Sequence, residues 1–140
     1  EFQIQRYRSR LSGPLLDRFD IRVDVPSIKL DGLQDSSGET TATVRERVIR
    51  AREIQAARYQ GTNIKLNAHA DGDNLVSFEK LCIESQEILK KSMEKFNLSM
   101  RAFNRILRVA RTIADLESSD TVKKHHIIEA LSFRNVKLKA

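Results

Sequence analysis

The strongest constraint in this 140-residue chain is a single helical repeat. Phe103, Ile106, Leu107, Ala110, Ile113 and Ala114 recur at the spacing that lays apolar side chains along one face of an α-helix. Such a stripe has to be buried against other elements. Ser99 precedes it as a side-chain N-cap, and the run "ESSD", Glu117–Asp120, ends it. Three further segments can pack on it. The first runs from Thr43 to about Tyr59, opens with a T-x-x-E capping box of Thr43 and Glu46, and stops at Gly61. Its thin apolar stripe is Val44, Val48, Ala51 and either Ile54 or Gln55. The second, Glu84–Phe96, carries Ile88, Leu89, Met93 and Phe96, and ends at Asn97, a residue that tolerates the left-handed cap conformation. The third runs from about Val122 to Phe133 and turns Val122, Ile127, Ala130 and Leu131 inward. A short helix near Leu75–Leu81 is also expected, after a loop, Gly61–Asn74, anchored by Ile64 and Leu66. The fold class predicted is mainly α, a four- to five-helix bundle.

The first 26 residues read differently. Gln3 to Leu11 suits a helix end, and Pro14 suits the first position of a turn through Leu15, Leu16 and Asp17. Ile21, Val23 and Val25 then alternate with Arg22 and Asp24, the period of a strand with one wet face, and Pro26 stops it. No second strand follows. A lone strand leaves backbone groups unsatisfied, so it is expected to belong to a sheet whose other strands lie upstream. The chain, which begins Glu1-Phe2, then reads as a carboxy-terminal piece of a larger protein. Residues 27–42 are polar and turn-rich and read as a flexible linker.

Apolar residues make up 40% of the chain, enough for a modest core, and Gly and Pro are scarce at 5 and 2. The net charge of +6 suits an acidic partner or a solvated basic surface. The single cysteine, Cys82, excludes an internal disulfide and a Cys-rich zinc site. Its neighbours Phe78, Leu81 and Ile83 predict a buried free thiol, which suits a reducing, cytoplasmic setting. No apolar run approaches membrane-spanning length, and no membrane partner is expected.

The basic residues carry the candidate chemistry. Arg101, Arg105 and Arg108 share one face of the Ser99 helix, and no acid lies between Ser99 and Arg111. A cation at Arg101 opposes the helix dipole, which a phosphate would compensate; a solvated stripe is the alternative. Arg18 stands where a turn hands over to a strand, free to project or to pair with Asp17, Asp20 or Asp24. Arg45, Arg47, Arg50, Arg52 and Arg58 crowd the Thr43 helix, which suits a nucleic-acid backbone, a subunit contact or plain solvation. His69, His125 and His126 lack zinc-like spacing, and the adjacent pair is expected on different faces, so no metal site is predicted. No G-x-x-x-x-G-K-[ST] phosphate loop and no nucleophile motif occurs.

Three stretches together resemble one family: Arg6–Pro26 ("RYRSRLSGPLLDRFDIRVDVP"), Thr43–Gly61 ("TVRERVIRAREIQAARYQG") and Asn97–Glu117 ("NLSMRAFNRILRVARTIADLE"). They look like the carboxy-terminal part of magnesium chelatase-like AAA+ ATPases, and within these the bacterial ComM/YifB group; His125–Arg134 is similar to that group's closing helix. The resemblance implies that residues 1–26 are a remnant of the α/β core with its edge strand, 27–42 a linker and 43–140 the helical lid. It implies that Arg18, in L-L-D-R-F, is an arginine finger reaching a neighbouring subunit's γ-phosphate. It further implies that Arg101, in S-x-R, is the sensor-2 residue touching the γ-phosphate of its own subunit's nucleotide. Arg105 and Arg108 inherit no role. ATP and Mg2+ are implied as cofactors of the full-length protein, along with a homo-oligomeric ring, a hexamer, as its assembly. DNA is implied as what the motor moves. The chain alone is expected to be monomeric and inactive, because the phosphate loop, magnesium-binding acids and sensor 1 belong upstream. A free-standing helical DNA-binding module, a metal-chelatase-type motor subunit and a scaffolding bundle are the rival readings.

Overall fold

The computed structural model describes residues 15, 18–23, 25, 38–71, 74 and 81–134. The expected helix end at Gln3–Leu11, most of the turn after Pro14, the linker as far as residue 37 and nearly all of the Leu75–Leu81 helix lie outside the described residues. Four helices are described: α1 (Thr41–Arg58), α2 (Ile83–Phe96), α3 (Met100–Leu116) and α4 (Lys124–Ser132), with a 3-10 turn at Asn67–His69 between α1 and α2. The chain is thus mainly helical, as its periodicity predicts.

The repeat that dominates the sequence becomes the central element. α3 packs against α1, α4 and the 3-10 turn, and α2 joins the bundle through α4. Ile106, Leu107, Ala110, Ile113 and Ala114 are buried, and Phe103 packs beside them. Leu89 of α2 and Ile127, Ala130 and Leu131 of α4 close the core, with Val122 just ahead of α4. Each fully buried aliphatic side chain contributes about 1.5–3 kcal/mol. Ser99 caps α3 as expected, its Oγ accepting the Ala102 N–H at 3.2 Å. Asn97 ends α2 in the left-handed region, φ 47°, with Leu98 N–H returning to the Met93 carbonyl at 3.0 Å. Ser118 closes α3 in the same way, at φ 56°.

Three expectations are corrected. α1 starts at Thr41, because Thr40 and not Thr43 is its cap: Thr40 Oγ1 accepts the Thr43 N–H at 3.2 Å. Several threonines compete for this position, and the acid that serves this end is Glu39, outside the helix, which pairs with both Arg47 nitrogens at 3.0 and 2.7 Å. Only the second half of the α1 stripe is buried, through Ala51 and Gln55, whereas Val44 and Val48 are exposed. Cys82 is exposed, not buried. It is the N-cap residue of α2, and Ser85 one turn later takes the interior position, 3.0 Å from the thiol.

No strand occurs among the described residues. Ile21 and Val23 are 53% and 65% exposed, and Arg22 N–H bonds the Phe133 carbonyl at 3.0 Å instead of a neighbouring strand. The loop after α1 does hold to the bundle, but through Asn67 more than through its apolar anchors. Ile64 packs on the core; Leu66 is half-buried.

A buried carboxylate organises the junction. Asp115 on α3 is fully buried and accepts from Arg58 of α1 at 2.5 and 2.8 Å, from Asn67 at 2.8 Å and from Arg111 Nε at 3.0 Å. Asn67 is satisfied in turn: Tyr59 Oη donates to its Oδ1 at 2.8 Å, and its own N–H donates to Gln55 Oε1 at 3.0 Å. Arg111 also donates to the carbonyls of Asp120, at 2.9 Å, and Ser119. Burial by itself raises the Asp115 pKa, but the hydrogen bonds from Arg58 and Asn67 and the charge of Arg111 outweigh it and hold the carboxyl below 3.8. Removing one partner of such a cluster leaves a buried charge uncompensated.

Asp115→Ala is therefore expected to cost about 3–5 kcal/mol, read as a lowered urea midpoint. A group whose folded pKa is depressed stabilises above its unfolded value and loses that contribution as pH falls through the folded one. The pH-dependent part should accordingly vanish in acid below 3.8, and be missing from the variant.

Candidate functional site

The arginines on α3 do not form one solvated stripe. Arg105 Nη1 donates to the Arg18 carbonyl and to Asp20 Oδ1, both at 2.6 Å. Arg108 Nε donates to the Ala70 carbonyl at 2.9 Å, and its Nη2 pairs with Asp71. Arg111 belongs to the Asp115 cluster. Arg101 differs: it is exposed, lies in the first turn of α3 and bonds no described residue, and no acid occupies that turn. The helix dipole disfavours a cation at this end by a few tenths of a kcal/mol or more, about 0.3–1. Arg101 is thus a guanidinium held by sequence where nothing in the described chain neutralises it.

Arg18 is also exposed, and its side chain bonds no described residue. Of the three acids near it in sequence, Asp20 is occupied by Arg105, and Asp17 and Asp24 lie outside the described residues. The backbone of Arg18 is nonetheless anchored, since its N–H bonds the Leu15 carbonyl at 3.0 Å and its carbonyl meets Arg105. Arg105 stands one helical turn from Arg101 on the same face. Arg105, to which motif reading gave no role, thus ties the backbone of Arg18 to the helix that also bears Arg101.

A cleft of about 260 Å³ lies beneath this segment, lined mainly by apolar groups of Ile21, Val109, Ile113, Leu116 and Phe133, with Asp20, Arg108 and Glu129 at its edge.

At the start of α4, His125 and His126 are brought together instead of pointing apart. Both Nε2 atoms lie within bonding distance of Glu117 Oε2, at 3.0 and 2.9 Å. The reason is local: both sit in the first turn of α4, whose side chains lean back toward the helix start, where Glu117 closes α3. The three potential ligand atoms fall within 4.8 Å of one another. The chemistry of His126 favours a hydrogen-bonded cap. The Lys123 N–H donates to His126 Nδ1 at 2.9 Å, so Nε2 carries the ring proton and gives it to Glu117. A metal on Nε2 would require the proton's removal while Nδ1 still accepts. Hydrogen bonds from both histidines pull the Glu117 carboxyl below its ordinary pKa.

Comparison with known proteins agrees with this architecture. The C-terminal family of magnesium chelatase subunit ChlI matches residues 38–134, and the magnesium chelatase subunit ChlI family matches residues 1–33. The chain belongs to the magnesium chelatase ChlI-type family. Among relatives, competence protein ComM of Haemophilus influenzae is 43% identical over 134 residues, covering 94% of this chain. YifB of Escherichia coli is 42% identical over 137 residues, covering 96%. The chain spans 26% of the length of each. Among the described residues, no helix is long and apolar enough to cross a membrane.

The histidine cap yields a direct check. His126→Leu removes a buried acceptor from Lys123 N–H and should destabilise by about 1–3 kcal/mol, whereas exposed His125→Ala should stay within about 0.5. Added Zn2+ should leave the melting temperature of the wild type unmoved. A rise that His126→Leu abolishes would show metal ligation instead.

Proposed function

We propose that this chain is the helical lid of a longer AAA+ ATPase that works as a ring, with Arg101 as its sensor-2 residue and Arg18 as an arginine finger serving a neighbouring subunit. The observation that carries the reading is the partition of the arginines. Arg105, Arg108 and Arg111 are all occupied, while the side chains of Arg101 and Arg18 bond no described residue. A planar fork of donors suits the oxygens of a terminal phosphate, and charge growing there in the transition state is what such groups stabilise. The residues present fit the phosphate end of ATP in that respect. ATP with Mg2+, when bound by the full-length protein, would supply the phosphoryl group; this chain contributes the two arginines. Residues 1–26 would belong to the α/β core, 27–42 to a linker and 43–140 to the lid. The exposed apolar side chains of Phe19, Ile21, Val23 and Val25 support that division, because they suit a strand that packs at the edge of a sheet. DNA is the favoured object of the motor. Kinship with a competence protein and the positive net charge of +6 both support it.

A free-standing DNA-binding module draws on one specific observation: Arg45, Arg50 and Arg52 are exposed on α1 and bond no described residue. Binding by such a helix would fall steeply with salt.

In the full-length protein, Arg18→Ala should lower ATP turnover by about 10³-fold or more while ATP affinity is kept. Arg101→Ala should lower turnover and blunt the response to ATP. Wild-type turnover in either variant removes that residue's role. Sub-micromolar binding of duplex DNA by this chain at physiological salt would favour the free-standing module.

A further inference from the structure

We infer that Arg105 is a positioning residue that fixes the arginine-finger segment to the helix carrying Arg101, so that the lid and the finger move together. The inference rests on the finger reading of Arg18. Arg105 holds two points of that segment at once, the Arg18 carbonyl and Asp20 Oδ1, at 2.6 Å each, from 87 and 85 residues away along the chain. A bond to the Arg18 carbonyl acts on the finger's own backbone and leaves its side chain free. A single rigid planar group sets the geometry, and four residues earlier the same helix face bears Arg101.

The rest of the segment is held further along, and also by polar contacts. Arg22 Nη2 donates to the Arg134 carbonyl at 2.7 Å, Arg22 N–H to the Phe133 carbonyl at 3.0 Å, and Arg134 Nη1 to the Phe19 carbonyl at 3.2 Å. Apolar packing adds little, because Phe19 and Ile21 are half exposed and the 260 Å³ cleft lies beneath Ile21. Among the described residues, Arg105 is therefore the link between α3 and Arg18 itself. Its Nε is buried without a partner, so the grip depends on the one nitrogen that makes both bonds. The other arginines of α3 serve different ends: Arg108 ties the 70–71 loop and Arg111 the Asp115 cluster.

The test uses the full-length protein and measures kcat and KM for ATP together with the melting temperature. Arg105→Ala should lower kcat by about 10- to 100-fold, the effect of a misplaced catalytic group, with KM for ATP within about twofold and the melting temperature little changed. Arg105→Lys, which keeps a donor, should recover part of the loss. The double variant Arg18→Ala/Arg105→Ala should be no slower than Arg18→Ala alone, because the two substitutions remove one function. Should Arg105→Ala not fold, Asp20→Ala decides, since it removes one of the two acceptors at an exposed side chain and should lower kcat in the same direction. Unchanged kcat in the folded Arg105→Ala or the Asp20→Ala variant, with Arg18→Ala inactive, overturns the inference and leaves the finger intact. Multiplicative losses in the double variant also overturn it. Full turnover by Arg18→Ala overturns the finger reading, and the inference with it.

Discussion

One buried carboxylate decides how the helices of this domain meet. Asp115 has no contact with solvent, yet it stays charged because Arg58, Asn67 and Arg111 aim donors at both of its oxygens. These partners come from the end of α1, from the 3-10 turn and from α3 itself. The apolar stripe of α3 makes the bundle compact, but apolar contact is non-directional and would tolerate several positions of α1. Directional hydrogen bonds to a buried charge tolerate far fewer. The same cluster orders the turn after α3. The left-handed Ser118 brings the Ser119 and Asp120 carbonyls back onto Arg111. The start of α4, with its histidine cap on Glu117, follows from that turn.

The outer contacts of α3 obey a different logic. Arg105 and Arg108 reach carbonyls and acids at the rim, where solvent competes and individual pairs are weaker. They tie on the two segments that flank the core, residues 18–20 and 70–71. The interior is thus held by a buried, fully bonded cluster and the periphery by more exposed polar contacts. Arg101 sits beyond this periphery, bonding no described residue and placed against the helix dipole, an arrangement that makes physical sense when an anion comes to it.

What motif reading could recover depended on whether the physics was local. The α3 repeat, the Ser99 cap, the Asn97 stop and the inward residues of α4 were all legible, because each depends on spacing or on one residue's backbone preference. The start of α1 was harder, since Thr40, Thr41 and Thr43 offer similar caps and Glu39 intervenes. Cys82 misled because apolar neighbours in sequence need not be neighbours in space: Leu81 is buried and Ile83 exposed on either side of it. The convergence of His125 and His126 on Glu117 needed the α3–α4 turn to be in place.

By itself, then, the order of residues determined the helices, the faces that α3 and α4 bury, the family and the two arginines worth attention. Those are consequences of periodicity, capping and short motifs, which act over a few residues. Only the tertiary structure decided which arginines bond described residues and which do not, that Asp115 is the common acceptor at the junction, and that Arg105 grips the backbone of Arg18. Charge pairing at close range depends on which groups the packed helices bring within about 3 Å, and partners such as Arg105 and Asp20 lie 85 residues apart in the chain.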